Sequence, residues 1–98
     1  MPSDLDPLGA ELRALFEAAD FTGARVLELG SGNGRLAFRY AHACSFIVGI
    51  ESQAQEASAA VWGCPDHLRA RLRIVRASGV SLPFRHGMFD IAVFAWSL

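Results

Sequence analysis

Lysine is missing altogether: the nine basic side chains of this 98-residue chain are all arginine. That absence excludes a Walker-type phosphate loop, whose lysine reaches the phosphates, and any chemistry through a lysine Schiff base. Cysteine is scarce. Cys44 and Cys64 stand twenty residues apart, with no CxxC and no Cys/His cluster at zinc spacing, so a zinc module is excluded and two free, reduced thiols are expected. No apolar run approaches eighteen residues, and Met1-Pro2-Ser3-Asp4-Leu5-Asp6 is acidic where a secretion signal would be basic. A soluble, cytoplasmic protein is the expectation. Neither sign of charge is in excess: nine basic against ten acidic groups leave a net charge of −1 and a pI of about 6.3. Bulk charge therefore supplies no nucleic-acid or membrane surface.

What the chain does have is apolar residues, 52% of the total, with a mean hydropathy of +0.27. That share excludes intrinsic disorder, and the length allows one small domain. Asp6-Pro7 is a helix start, with a side-chain acceptor followed by a proline at the first helical position. Leu8, Leu12, Leu15, Phe16 and Ala19 then form one apolar stripe, predicting a helix that ends near Asp20. Short apolar runs follow: Val26-Leu27-Glu28-Leu29, then Phe46-Ile47-Val48-Gly49-Ile50, then Leu72 to Val75, then Phe89 to Ala95. Between them, Arg35 to Ala43 and about Ser52 to Trp62 read as helices, with Gly63 and Pro65 as the stop of the second. Strands without alternation, separated by helices, predict an α/β fold with an open parallel sheet covered on both faces.

The densest chemical signal is Gly30-Ser31-Gly32-Asn33-Gly34, between the first strand and the next helix. Glycines there let backbone approach a ligand closely, since no Cβ intervenes and positive φ is free. The dinucleotide pattern GxGxxG would need a glycine at position 35, which is Arg35. Glu51, seventeen residues after Gly34, closes the second strand; a carboxylate there can accept two hydrogen bonds from a ribose diol. Its bland alternative is a solvated strand-end acid. Arg69, Arg71 and Arg73 alternate at period two and read as charges guarding an edge strand rather than as a phosphate comb. His42, His67 and His86 read as surface residues, and no catalytic residue or metal site is assigned. Trp62 reads as packing, and Trp96 as a possible site-lining ring.

These residues resemble the class I S-adenosylmethionine-dependent methyltransferases. Glu28-Leu29-Gly30-Ser31-Gly32-Asn33-Gly34 is similar to the family's first motif and Val48-Gly49-Ile50-Glu51-Ser52 to its second. Leu82-Pro83-Phe84 with Met88-Phe89-Asp90-Ile91-Ala92-Val93 is similar to the third, in the form seen in quinone-biosynthesis C-methyltransferases. The resemblance implies a Rossmann-like sheet, S-adenosylmethionine as cofactor and a small-molecule methyl acceptor. It implies that Glu28 and the loop backbone at Gly30 and Gly32 hold the methionine part, that Ser31 and Gly34 belong to the same cofactor-binding loop, and that Glu51 holds the ribose. Ile50 and Ser52 would flank the adenosine, Ser78 and Gly79 would meet the adenine, and Ala95 and Trp96 would lie beside the reactive methyl. Ser78 stands where the family commonly has an acid, and a neutral acceptor bonds about half as strongly.

The family's sheet has seven strands, and strands one to four are present. Residues 1–98 are therefore expected to be a partial methyltransferase domain, with a leading helix over 1–20 and a cofactor-binding half over 21–98. Its fourth strand, Ile91 to Ala95, would be an apolar edge through which the chain self-associates. The alternative function is a non-catalytic, adenosylmethionine-binding remnant that lacks an acceptor site.

Overall fold

A computed structural model describes residues 7–77 and 87–95, the side chains of Pro7 and Leu8 excepted. Ser78, Gly79, His86, Trp96 and the stretch Leu82-Pro83-Phe84 lie outside the described residues. In chain order the elements are α1 (Pro7–Ala18), β1 (Arg25–Leu29), α2 (Ala37–Tyr40) continued by a 3-10 turn (Ala41–Ala43), and β2 (Phe46–Glu51). Then come α3 (Ala54–Gly63), a second 3-10 turn (Asp66–Leu68), β3 (Leu72–Arg76) and β4 (Ile91–Phe94). Among the described residues, no helix is long and apolar enough to cross a membrane.

The strands form one sheet in the order β3-β2-β1-β4, parallel at every pairing. The steps from β1 to β2 and from β2 to β3 run the same way, so right-handed crossovers place α2 and α3 on the same face. Across that face run two rows of side chains in register: Ile91, Val26, Ile47 and Leu72, then Val93, Glu28, Gly49 and Ile74. Helix α1 closes this side through Leu12 and Leu15, and the rings of Phe21 and Tyr40 meet edge to face with centroids 5.1 Å apart. The opposite face carries a smaller apolar cluster built on Leu27, Val48 and Ile50. No helix among the described residues covers it.

Three local expectations change. Helix α2 begins at Ala37 rather than Arg35, because Gly32 and Gly34 take φ of +59° and +87° and turns occupy the intervening residues. Trp62 is 82% exposed: α3 buries the side marked by Ala57 and Ala60, and a residue two positions past Ala60 points about 200° away from it. The arginine alternation also dissolves, since β3 starts only at Leu72. Arg71 donates to the carbonyls of His42 and Cys44 at 3.2 Å, and Arg69 pairs with Asp66 at 3.1 Å. Of the three, only Arg73 stands on the edge strand.

Candidate functional site at the end of the central strands

Sheet order reverses between β1 and β4, and in open α/β sheets such a reversal leaves a crevice at the carboxyl ends of the strands. The glycine loop starts there. Ala95 donates its N–H to the Leu29 carbonyl at 2.9 Å, carrying β4 alongside the loop. An added Cβ on Gly30, whose φ is +72°, would come 3.4 Å from the Ala95 carbonyl oxygen. A cavity of about 180 Å³ opens at this point, lined by Gly30, Ser31, Gly32 and Ala95 together with Glu11, Asn33, Arg35, Leu36 and Glu56.

The loop is fastened to β2. Both Gly30 and Ser31 donate to the Ile50 carbonyl, at 2.9 and 3.1 Å. Gly32 donates to Glu51 Oε1 at 2.7 Å, while Glu51 Oε2 accepts the Gln53 N–H at 2.9 Å, just before the first turn of α3. Glu51 is 8% exposed, so the solvated strand-end reading does not describe it. Its two oxygens each keep a second lone pair for a further donor.

Directly beneath the loop, Glu28 is fully buried, and the Tyr40 hydroxyl donates to its Oε2 at 2.6 Å. Burial pushes the Glu28 carboxyl up to about 7, with the Tyr40 hydrogen bond opposing the shift. Burial and the neighbouring Glu28 push the Tyr40 phenol up as well. Glu28 Oε1 and the Ser31 hydroxyl are buried without a hydrogen-bond partner among the described residues. Gly49 stands beside Glu28 in the same row, and its missing side chain leaves the space that Ser31 fills: a Cβ there would lie 2.9 Å from Ser31 Oγ.

Of the residues singled out in the sequence, Gly30, Ser31, Gly32 and Ala95 line the cavity, while Glu51 does not line it but accepts the hydrogen bond of Gly32, which does. Glu28 lies below the loop and does not line it. The Ile50 side chain packs in the apolar cluster of the other face, so what it offers the loop is its carbonyl. Gly34 makes room for a ring, since a Cβ would sit 2.5 Å from Phe38 Cζ. Ser52 is exposed. Spacing alone does not reveal Glu11, Arg35 or Glu56. Glu11 reaches the loop from α1, and Glu56 Oε2 lies 3.4 Å from where a Gly32 Cβ would stand. His42 and His67 are exposed and remote from the cavity lining. No group of metal-ligating residues occurs among the described residues.

The residues fit the amino-acid end of a charged nucleoside cofactor. Glycine backbone at positive φ admits close approach, and the cavity lining carries the carboxylates of Glu11 and Glu56, which would suit a cationic group, and the guanidinium of Arg35, which would suit a carboxylate.

A family model described as a methyltransferase domain matches residues 27–98. An uncharacterized methyltransferase from Mycobacterium sp. (strain JLS) is 35% identical over 91 residues, which cover 90% of this chain and 34% of that protein. The crystal structure of YcgJ from Bacillus subtilis aligns with a TM-score of 0.80 at 22% identity, over 88% of this chain and 37% of the other. An RNA methyltransferase from Salinibacter ruber, solved in complex with S-adenosyl-L-homocysteine, aligns with a TM-score of 0.75 at 18% identity, over 87% and 56%. The chain thus spans about a third of the length of the curated relative it matches. With the family model covering most of its length, and the parallel sheet and glycine loop in the expected order, the chain belongs to the class I S-adenosylmethionine-dependent methyltransferases.

Proposed function

We propose that this chain is the cofactor-binding part of an enzyme that transfers a methyl group from S-adenosylmethionine to a small molecule. The observation that carries the reading is the cavity at the sheet's switch point, where Gly30, Ser31 and Gly32 present backbone between two carboxylates and a guanidinium. S-adenosyl-L-homocysteine in the Salinibacter ruber relative supports the choice of cofactor. That cofactor, when bound, would supply an activated methyl group carried on a positively charged sulfonium, with the neutral thioether as leaving group.

The chain's own residues bind and orient. Glu11 and Glu56 attract the cationic end, Arg35 attracts the carboxylate, and the remaining lone pairs of Glu51 accept from the ribose hydroxyls. Positioning of this kind can supply much of the acceleration. His42 and His67 stand away from the cavity, so no described histidine serves as a base. A small acceptor is favoured because β3 carries only two arginines, Arg73 and Arg76, and Arg76 is engaged with the Ser52 carbonyl at 3.4 Å, so the strand presents no phosphate-tracking comb.

Calorimetric titration tests the reading. S-adenosylmethionine and S-adenosylhomocysteine are expected to bind and NAD is not. Binding of NAD without either adenosyl compound would sink it, and would mean that Arg35 at the third glycine position does not discriminate as argued.

A further inference from the structure

The middle glycine of the loop has an unusual anchor. Gly30 and Ser31 are held by a strand carbonyl, and further along the loop Gly34 donates to Ser31 O at 3.1 Å and Arg35 N to Asn33 Oδ1 at 3.1 Å. Gly32, between these two sets, is joined to β2 by a side chain, the Glu51 carboxylate at 2.7 Å. The other oxygen of that carboxylate holds Gln53 N at 2.9 Å, and the Gln53 carbonyl accepts from Ala57 in the first turn of α3. One buried anion therefore spans the gap between the loop and the helix that carries Glu56. A short hydrogen bond to a charged acceptor is among the stronger ones available, and burial removes competing water.

We propose that Glu51 is a positioning residue: beyond any contact it makes with a ribose, it sets the geometry of the glycine loop at Gly32 and of the α3 entrance at Gln53. The two halves of the site are then joined through one side chain. Loss of the carboxylate loosens the backbone that meets the amino-acid end of the ligand, even for a ligand with no ribose hydroxyls to offer. The statement about ligand affinity rests on the adenosylmethionine reading above; the statement about backbone geometry does not.

Two measurements on wild type, Glu51→Ala and Glu51→Gln decide it. The first is amide hydrogen exchange without ligand, read by NMR. Gly32 and Gln53 are protected in the wild type, and both lose protection in Glu51→Ala by about tenfold or more, the scale of a hydrogen bond to a charged group. Glu51→Gln keeps one oxygen acceptor, so it retains protection at one of the two amides; if the alanine variant does not fold, this variant carries the test. A Gly32 amide that exchanges equally fast in all three proteins overturns the proposal. The second is affinity for S-adenosylhomocysteine and for its 2′,3′-dideoxy derivative. Glu51→Ala weakens the dideoxy compound as well, by about tenfold on the same scale. An unchanged dideoxy affinity would reduce Glu51 to a ribose ligand and overturn the positioning role. If the wild type binds neither compound, the cofactor reading fails while the exchange result still decides the clamp.

Discussion

Replacing Glu28 by glutamine should make the protein more stable at alkaline pH, although it removes a charge-assisted hydrogen bond. The Glu28 carboxyl is fully buried, and its pKa is pushed from 4.5 to about 7, chiefly by burial. A raised carboxyl pKa means the folded state holds its proton more tightly than the unfolded chain does. The stability Glu28 contributes is therefore fully present below about 4.5 and is lost as pH rises through about 7. Converting the difference between the two pKa values at 1.36 kcal/mol per pH unit gives a cost of about 3 kcal/mol above neutrality. That is a large share of the roughly 5–15 kcal/mol that holds a domain together. Glutamine has nearly the same shape, cannot ionise, and still offers an oxygen to the Tyr40 hydroxyl. Urea unfolding followed by circular dichroism at pH 5, 6, 7 and 8 should show the wild type losing stability with rising pH and Glu28→Gln holding level. The two proteins should converge near pH 5 and separate by up to about 3 kcal/mol at pH 8. Parallel profiles would refute the reasoning, since they would mean that Glu28 is ionised in the fold or titrates as it does in the unfolded chain.

Gly34→Ala should destabilise by about 1–3 kcal/mol from the positive φ alone, and more from the Phe38 ring; adding Phe38→Ala in the same chain should recover the steric part and leave the backbone part, as read by urea midpoints. Gly49→Ala places a Cβ 2.9 Å from Ser31 Oγ and 3.0 Å from Ile74 Cδ1, so it should cost about 1–3 kcal/mol by overpacking. Ser31→Gly combined with it should return part of that loss, and a neutral Gly49→Ala would show that the loop does not seat on Gly49. Asp90 makes a two-pronged ion pair with Arg25, at 2.8 and 3.1 Å, and the Arg25 side-chain hydrogen bond is the main reason its carboxyl is pushed down to about 2. Its contribution is present above about pH 3.8 and lost as pH falls toward 2, so Asp90→Asn should unfold with a shallower acid limb; an unchanged limb would mean the pair does not persist in solution.

The sheet and the loop are legible in the sequence because they depend on local pattern. Apolar runs without alternation announce buried parallel strands, and alternate glycines announce backbone near a ligand. The start of α2 is not legible, because the positive φ of Gly32 and Gly34 delays the helix past Arg35. Nor is the Tyr40–Glu28 pair, which joins a strand to a helix across twelve residues and looks from the pattern like an apolar stripe. Arg69, Arg71 and Arg73 alternate as a strand would, yet two of them belong to turns and reach back to carbonyls and an acid that only the folded chain brings near. Glu11 illustrates the limit most plainly. It sits on the leading helix, nineteen residues before Gly30, and becomes a site residue only because α1 packs beside the loop. The role of Glu51 is half legible: its place at a strand end suggests a ribose, while its hold on Gly32 requires the loop to fold back over β2.

The central claim is that the cavity at Gly30, Ser31 and Gly32 is where the adenosyl cofactor sits. Side-by-side titration of S-adenosylhomocysteine into the wild type and Gly32→Val tests it most directly, with circular dichroism confirming that both are folded. A valine at a φ of +59° whose Cβ begins 3.4 Å from Glu56 Oε2 fills the space the ligand needs. Saturable binding to the wild type and none to Gly32→Val is the predicted result. Equal binding by the two folded proteins would contradict the account, because the ligand would then lie somewhere other than the glycine loop.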